Sequence, residues 1–233
     1  MIEVSRTNGE IVIMADVESR TLQPGPIRAT GFLLSNIVFG VIGFGLVMTT
    51  IPFGLLTLVF WVGILVLCTG LLLLRGAAQV HRTWLHTWLG VYIARPYRVM
   101  PTGAAARLRT LLTDGATWKD TIYLLLMFPI GMAELIGVSM LWGIGLGMST
   151  MPLYYGLFDK GDEPQIFHPD FVVDTFGEAM ICSAVGLLIL CMAIIVVPAV
   201  AKAHAKFAVW MLGPSRKIMN GDRESTPRAA ALV

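Results

Sequence analysis

Hydrophobic residues in this chain come in long unbroken blocks, without the strict alternation of a half-buried strand. Four stretches, roughly 29–50, 54–74, 121–147 and 177–200, are apolar for long enough to cross about 30 Å of hydrocarbon at about 1.5 Å per residue. The first two are separated only by Ile51-Pro52-Phe53-Gly54, which predicts a tight turn and an antiparallel helical hairpin. A longer polar segment, from Pro152 to Phe176, separates the other two and predicts a second hairpin with an extended loop. Ahead of them, residues 1–26 mix charges with one short apolar run and end in Pro24-Gly25-Pro26, which predicts a tail that does not continue as helix into the membrane. Its acidic residues, Glu3, Glu10, Asp16 and Glu18, do not fit a cleaved signal peptide.

Composition agrees with a membrane protein. Of 233 residues, 56% are hydrophobic and 14% charged, against about 25% charged in soluble proteins, and mean hydropathy is +0.74. A net charge of +2 is too balanced for a nucleic-acid binder, so the position of the charges matters more than their sum. Residues 75–120 carry Arg75, Arg82, Arg95, Arg98, Arg107, Arg109 and Lys119 against Asp114 and Asp120, and the tail beyond 200 is also basic. Residues 151–179 carry Lys160 against six acidic side chains. The bias of Lys and Arg toward the inner side predicts a cell-membrane protein with both termini cytoplasmic and 151–179 outside. Cys68, Cys182 and Cys191 sit in apolar runs with no metal-ligand spacing, so no metal and no cofactor is expected.

The two hairpins resemble each other. Gly43-Phe-Gly-Leu-Val-Met-Thr-Thr-Ile-Pro52 aligns without gaps on Gly143-Ile-Gly-Leu-Gly-Met-Ser-Thr-Met-Pro152, and Gly63-Ile-Leu-Val-Leu-Cys68 aligns on Gly186-Leu-Leu-Ile-Leu-Cys191. Extending the second register places His81 on His204. The expected fold is therefore all-α and integral to the membrane: four spanning helices as two tandem, parallel hairpin repeats. An amphipathic helix at the cytoplasmic face is expected after each hairpin, over 77–92 with Trp84 and Trp88 and over 201–212 with Phe207 and Trp210.

Candidate chemistry centres on Glu134. A carboxylate within a spanning helix costs about 2.5–3.5 kcal/mol even on a mild insertion scale, so it should face inward. Asn36, Gly40 and Gly43 share one helix face, and Gly131, Glu134 and Gly137 share another; their small residues predict that these faces meet. Asn36, Ser35 or Ser139 are the expected hydrogen-bond partners of Glu134. The arrangement fits either a structural polar pair or a ligand, proton or partner-helix contact. The acidic 159–170 loop with His168 matches no cation-binding spacing, and His81 and His204 read as interfacial packing. No nucleophile elbow, HExxH, P-loop or paired-carboxylate signature is present, so no enzyme and no catalytic residue is expected.

Several segments carry a family resemblance: Asp114-Gly-Ala-Thr-Trp-Lys-Asp-Thr-Ile-Tyr-Leu-Leu-Leu-Met-Phe-Pro-Ile-Gly131, Thr150-Met-Pro-Leu-Tyr-Tyr155, Val173-Asp-Thr-Phe-Gly-Glu178 and Leu212-Gly-Pro-Ser-Arg216. Together they resemble the putative-sensor domain of actinobacterial membrane proteins, often found amino-terminal in two-component sensor histidine kinases. The first segment also predicts a capping box, Thr117 with Asp120, at the start of the third spanning helix. The resemblance covers about 27–216. It implies a four-helix membrane sensor domain between a cytoplasmic tail (1–26) and a disordered cytoplasmic tail (217–233), standing alone because the residues after Arg216 are too few for a kinase. Glu134 departs from the family, whose members carry an apolar or small residue there. The function expected is a non-enzymatic module that detects an envelope or lipid-phase condition and acts by contact with another membrane protein. An accessory subunit of a lipid or solute transport complex is the alternative, and a small transporter with its site at Glu134 a further one. The lipid bilayer, other integral membrane proteins and a second copy of the chain are the expected partners.

Overall fold

The computed structural model describes residues 24–94, 96–97, 101–157, 173 and 175–213, with the backbone alone at 104 and 105. The tails 1–23 and 214–233 and the acidic 158–172 segment with His168 lie outside the described residues. Helices α1 (Pro26–Leu56), α2 (Val62–Leu89), α3 (Ala104–Thr113), α4 (Gly115–Ser149), the one-turn α5 (Met151–Tyr154) and α6 (Phe176–Leu212) follow in order, with no strand among the described residues. The long four, α1, α2, α4 and α6, are each apolar and long enough to cross a bilayer, and the chain is a multi-pass, all-helical membrane protein.

Local chemistry sets the helix ends. Pro26 supplies the first turn of α1, where a missing N–H costs nothing, and Gly90 ends α2 at φ +72° with its N–H on the His86 carbonyl. Thr175 and Glu178 cap α6 reciprocally, each side chain on the other's backbone N–H. At α4 the cap is Asp114, accepting from Ala116 N at 3.1 Å. The expected Thr117–Asp120 box does not form, because both residues lie inside the helix and turn toward α2.

Three further expectations are corrected. First, α1 continues through Pro52 to Leu56, and the turn is Thr57–Phe60 with Trp61 at φ 60°. Gly63 makes this turn possible, since a side chain there would strike the Gly54 carbonyl and Leu58. The tip is apolar and exposed: Val59, Phe60 and Trp61 are 73–81% accessible.

Second, 77–89 and 201–212 are not separate interfacial helices. They are the last turns of α2 and α6, because their apolar faces meet other helices. Trp84 donates from Nε1 to Ser35 Oγ at 2.9 Å, and the Trp88 ring covers Gly31. Phe207 stacks on Tyr123 at 5.7 Å, while Trp210 alone of the four aromatics faces outward.

Third, the corresponding helices α1 and α4 run antiparallel. Trp142 Nε1 donates to Thr30 Oγ1 at 3.0 Å, Asn36 meets Glu134, Gly40 lies on Met127 and Gly43 on Leu124, so the numbers rise along α1 as they fall along α4. The cause lies in the connection after α2. The chain doubles back along that helix, burying Val91 and Ile93, and α4 starts beside Arg75 in the middle of α2.

Close approach of α1 and α4 depends on glycine. A Cβ on Gly40 would lie 2.7 Å from the Met127 carbonyl oxygen and 2.8 Å from Phe128 Cα, both backbone atoms that cannot step aside. A Cβ on Gly143 would meet nothing within 4 Å. Gly40→Ala should therefore lower stability by about 1–3 kcal/mol, while Gly143→Ala should be neutral or slightly stabilising. Thermal melts of both variants in mild detergent, followed by circular dichroism, check this.

Candidate functional site

All four long helices contribute to one buried chain of hydrogen bonds. On α4, Glu134 accepts through Oε2 from Asn36 Nδ2 of α1 at 2.7 Å, and its Oε1 lies 2.6 Å from His204 Nδ1 of α6. His204 Nε2 lies 3.3 Å from the Tyr123 hydroxyl of α4, which is 3.1 Å from Nδ1 of His81 on α2. Every member is at most 8% exposed. Phe32 and Phe39 pack against the imidazoles, with Phe39 edge-on to His81 at 4.9 Å, and so exclude water from their flanks. Asn36 Oδ1 and His81 Nε2, at the two ends of the chain, have no partner.

This arrangement has a definite proton logic, because Tyr123 has one hydroxyl hydrogen between two imidazoles. When His204 carries hydrogen only on Nδ1, it donates to Glu134 and its Nε2 accepts from Tyr123. The Tyr123 oxygen then accepts from His81 Nδ1–H. When the Glu134–His204 pair holds one more proton, His204 donates from Nε2, Tyr123 donates to His81 Nδ1, and the hydrogen on His81 sits on Nε2. One proton gained on α4 and α6 thus reverses a hydroxyl and changes a tautomer on α2.

Glu134 also reaches the surface of the bundle. It lies in the wall of a groove of about 360 Å³ between α4 and α6, otherwise lined by Ala133, Gly137, Val138, Val197 and other apolar side chains.

A second polar cluster ties α2 to the start of α4. Arg75 Nη2 pairs with Asp114 at 2.6 Å and its Nε donates to Thr117 at 3.0 Å. Arg82 Nη2 pairs with Asp120 at 2.7 Å and donates to the Leu212 carbonyl at 3.1 Å. Tyr97 lies between the two arginines, donating to Asp120 Oδ2 at 2.6 Å and accepting from Arg82 Nη1, with both guanidiniums over its ring. Burial, then the Asp120 charge, pushes the Tyr97 phenol well above its ordinary range.

Of the residues singled out in the sequence, Glu134 and Asn36 are brought together. Ser139 is exposed and makes no bond to Glu134, and Ser35 is taken by Trp84 and the Phe32 carbonyl. His81 and His204, read as interfacial packing, are central to the chain. Their matching positions in the two hairpins were the available signal, whereas nothing in the sequence marked Tyr123. No group of three or more His, Cys, Asp or Glu side chains suited to a metal occurs among the described residues.

Residues 32–212 match the family model described as "Putative sensor", and the chain belongs to that family. No curated protein and no solved structure matches it.

Glu134→Ala leaves Asn36 and His204 without their acceptor and should cost about 1–3 kcal/mol. Glu134→Gln should cost markedly less, since its carbonyl can accept from His204 and its amide can donate to a turned Asn36, whose Oδ1 is otherwise unpartnered. Unfolding of both variants in bilayers checks the order. Tyr97 makes a separate, pH-dependent contribution. Its folded phenol resists ionisation while the unfolded one ionises near 10, so stability should be full below pH 10 and fall above it. Tyr97→Phe should flatten that alkaline fall in a pH series of melts.

Proposed function

We propose that this sensor-family chain is a non-enzymatic sensory module of the cell membrane that reads a lipid-phase condition at the α4–α6 groove and passes it on by contact with another membrane protein. One observation carries the reading: Glu134 stands both in the wall of an apolar groove and inside a hydrogen-bond chain that reaches every long helix. A stimulus can shift a conformational equilibrium only by interacting differently with its two states. Acyl chains that fill the groove to different extents change how far α4 and α6 separate, and so change the Glu134–His204 contact on which the order of hydrogens in the chain depends. Tyr123 then transmits the change to α2, and Asn36 to α1.

The described chain ends lie apart along α4: Thr30, near the start of α1, meets Trp142, whereas Phe207, near the end of α6, stacks on Tyr123. Support for cytoplasmic termini comes from the basic bias of the flanking sequence alone. The exposed apolar tip at Val59–Trp61 and the outward Trp210 are surfaces suited to lipid or to a partner's helices.

The test is hydrogen–deuterium exchange of the full chain in bilayers of short and long acyl chains. The wild type should change its exchange in α4 and α6 and, coupled to them, in α2; Glu134→Ala should confine the change to the groove helices. Identical wild-type exchange in both bilayers would contradict sensing and favour a purely stabilising subunit.

A further inference from the structure

The outward polar face of α2 borders a cavity of about 400 Å³ that the Glu134 chain does not use. Gln79, Arg82, Thr83 and His86 follow one another at i, i+3, i+4 and i+7, so they line one wall together. Tyr92 and Ile93, on the segment that returns after Gly90, line the other. The wall is rich in unspent donors. Both terminal nitrogens of Arg82 are committed to Tyr97, Asp120 and Leu212, yet its Nε–H has no acceptor among the described residues, although the residue is only 5% exposed. The Gln79 amide, the His86 ring nitrogens and the Tyr92 hydroxyl make no hydrogen bond among the described residues, and the His86 and Tyr92 rings stand edge to face at 6.3 Å. Thr83 already donates, to the Gln79 carbonyl at 3.1 Å.

Among the described residues no carboxylate lines the cavity; the Asp120 oxygens are held by Arg82 and Tyr97. A wall of donors that includes the buried Arg82, with no acidic side chain among the described lining residues to repel a ligand, suits a group that offers only acceptors. We propose that this cavity binds a phosphate oxyanion, either the headgroup phosphate of an anionic lipid or free phosphate. Because Asp120 offsets the Arg82 charge, recognition rests on oriented donors. Removing two of them should therefore cost most of the affinity.

The experiment uses the full chain in phosphatidylcholine nanodiscs with and without phosphatidylglycerol, alongside the Gln79→Ala/His86→Ala variant. His86 is exposed and the half-buried Gln79 side chain makes no hydrogen bond among the described residues, so the variant should melt close to the wild type. Native mass spectrometry reads retained lipid, and phosphorus-31 NMR line broadening reads inorganic phosphate. The wild type should retain phosphatidylglycerol or broaden the phosphate line, with the variant weaker by about 5- to 30-fold. Retention of phosphatidylglycerol without phosphate binding identifies the lipid headgroup as the source; phosphate binding without lipid preference identifies the free anion. Equal behaviour of wild type and variant in both arms overturns the site. The acyl-length response set by Glu134 is read separately, so failure here leaves that reading standing.

Discussion

A carboxylate inside a bundle of apolar helices tolerates burial only when donors come to it from outside its own helix. Glu134 imposes that constraint on this fold. Asn36 and His204 answer it from α1 and α6, and their reach fixes how those helices register against α4. Glycines at 40 and 131 let the backbones approach closely enough for the short Asn36 side chain to make contact. His204 and His81 then share Tyr123, which brings α2 into the same chain. Gains from each interhelical bond in a membrane are modest, about 0.6–2 kcal/mol. The cost of losing one partner and stranding another is what gives the arrangement its specificity.

Much of this was legible in the sequence because hydrocarbon makes harsh demands. The four spanning blocks, the inward placement of Glu134 and the meeting of its face with that of Asn36 all follow from the cost of a polar group in lipid. What was not legible depended on geometry beyond a single helix. The repeat suggested parallel hairpins, and the charge count assumed that each connection stays where the preceding helix ends. Neither can register a segment that folds back along α2 and starts α4 beside Arg75. The amphipathic faces at Trp84, Trp88 and Phe207 were visible, but periodicity cannot distinguish a face turned to headgroups from one turned to another helix. Here the aromatics cover Gly31, Ser35 and Tyr123.

The two polar clusters divide the labour. Around Tyr97, two arginines and two aspartates fasten the returning segment and the start of α4 to α2 with short, charge-assisted contacts, a rigid joint. The Glu134 chain, by contrast, has unpartnered atoms at both ends and a hydroxyl that can face either way, so it has two orders of nearly equal bonding. A sensor needs both: a fixed frame, and one element within it that can change state. Membership of the sensor family is consistent with that division.

The central claim is that Asn36 and His204, on different helices and not hydrogen-bonded to each other, are coupled through Glu134. A double-mutant cycle of Asn36→Ala and His204→Ala, read as unfolding free energy in bilayers, measures this directly. The account predicts non-additivity of about 0.5–3 kcal/mol. Effects that add to within about 0.3 kcal/mol would show two independent contacts and contradict it.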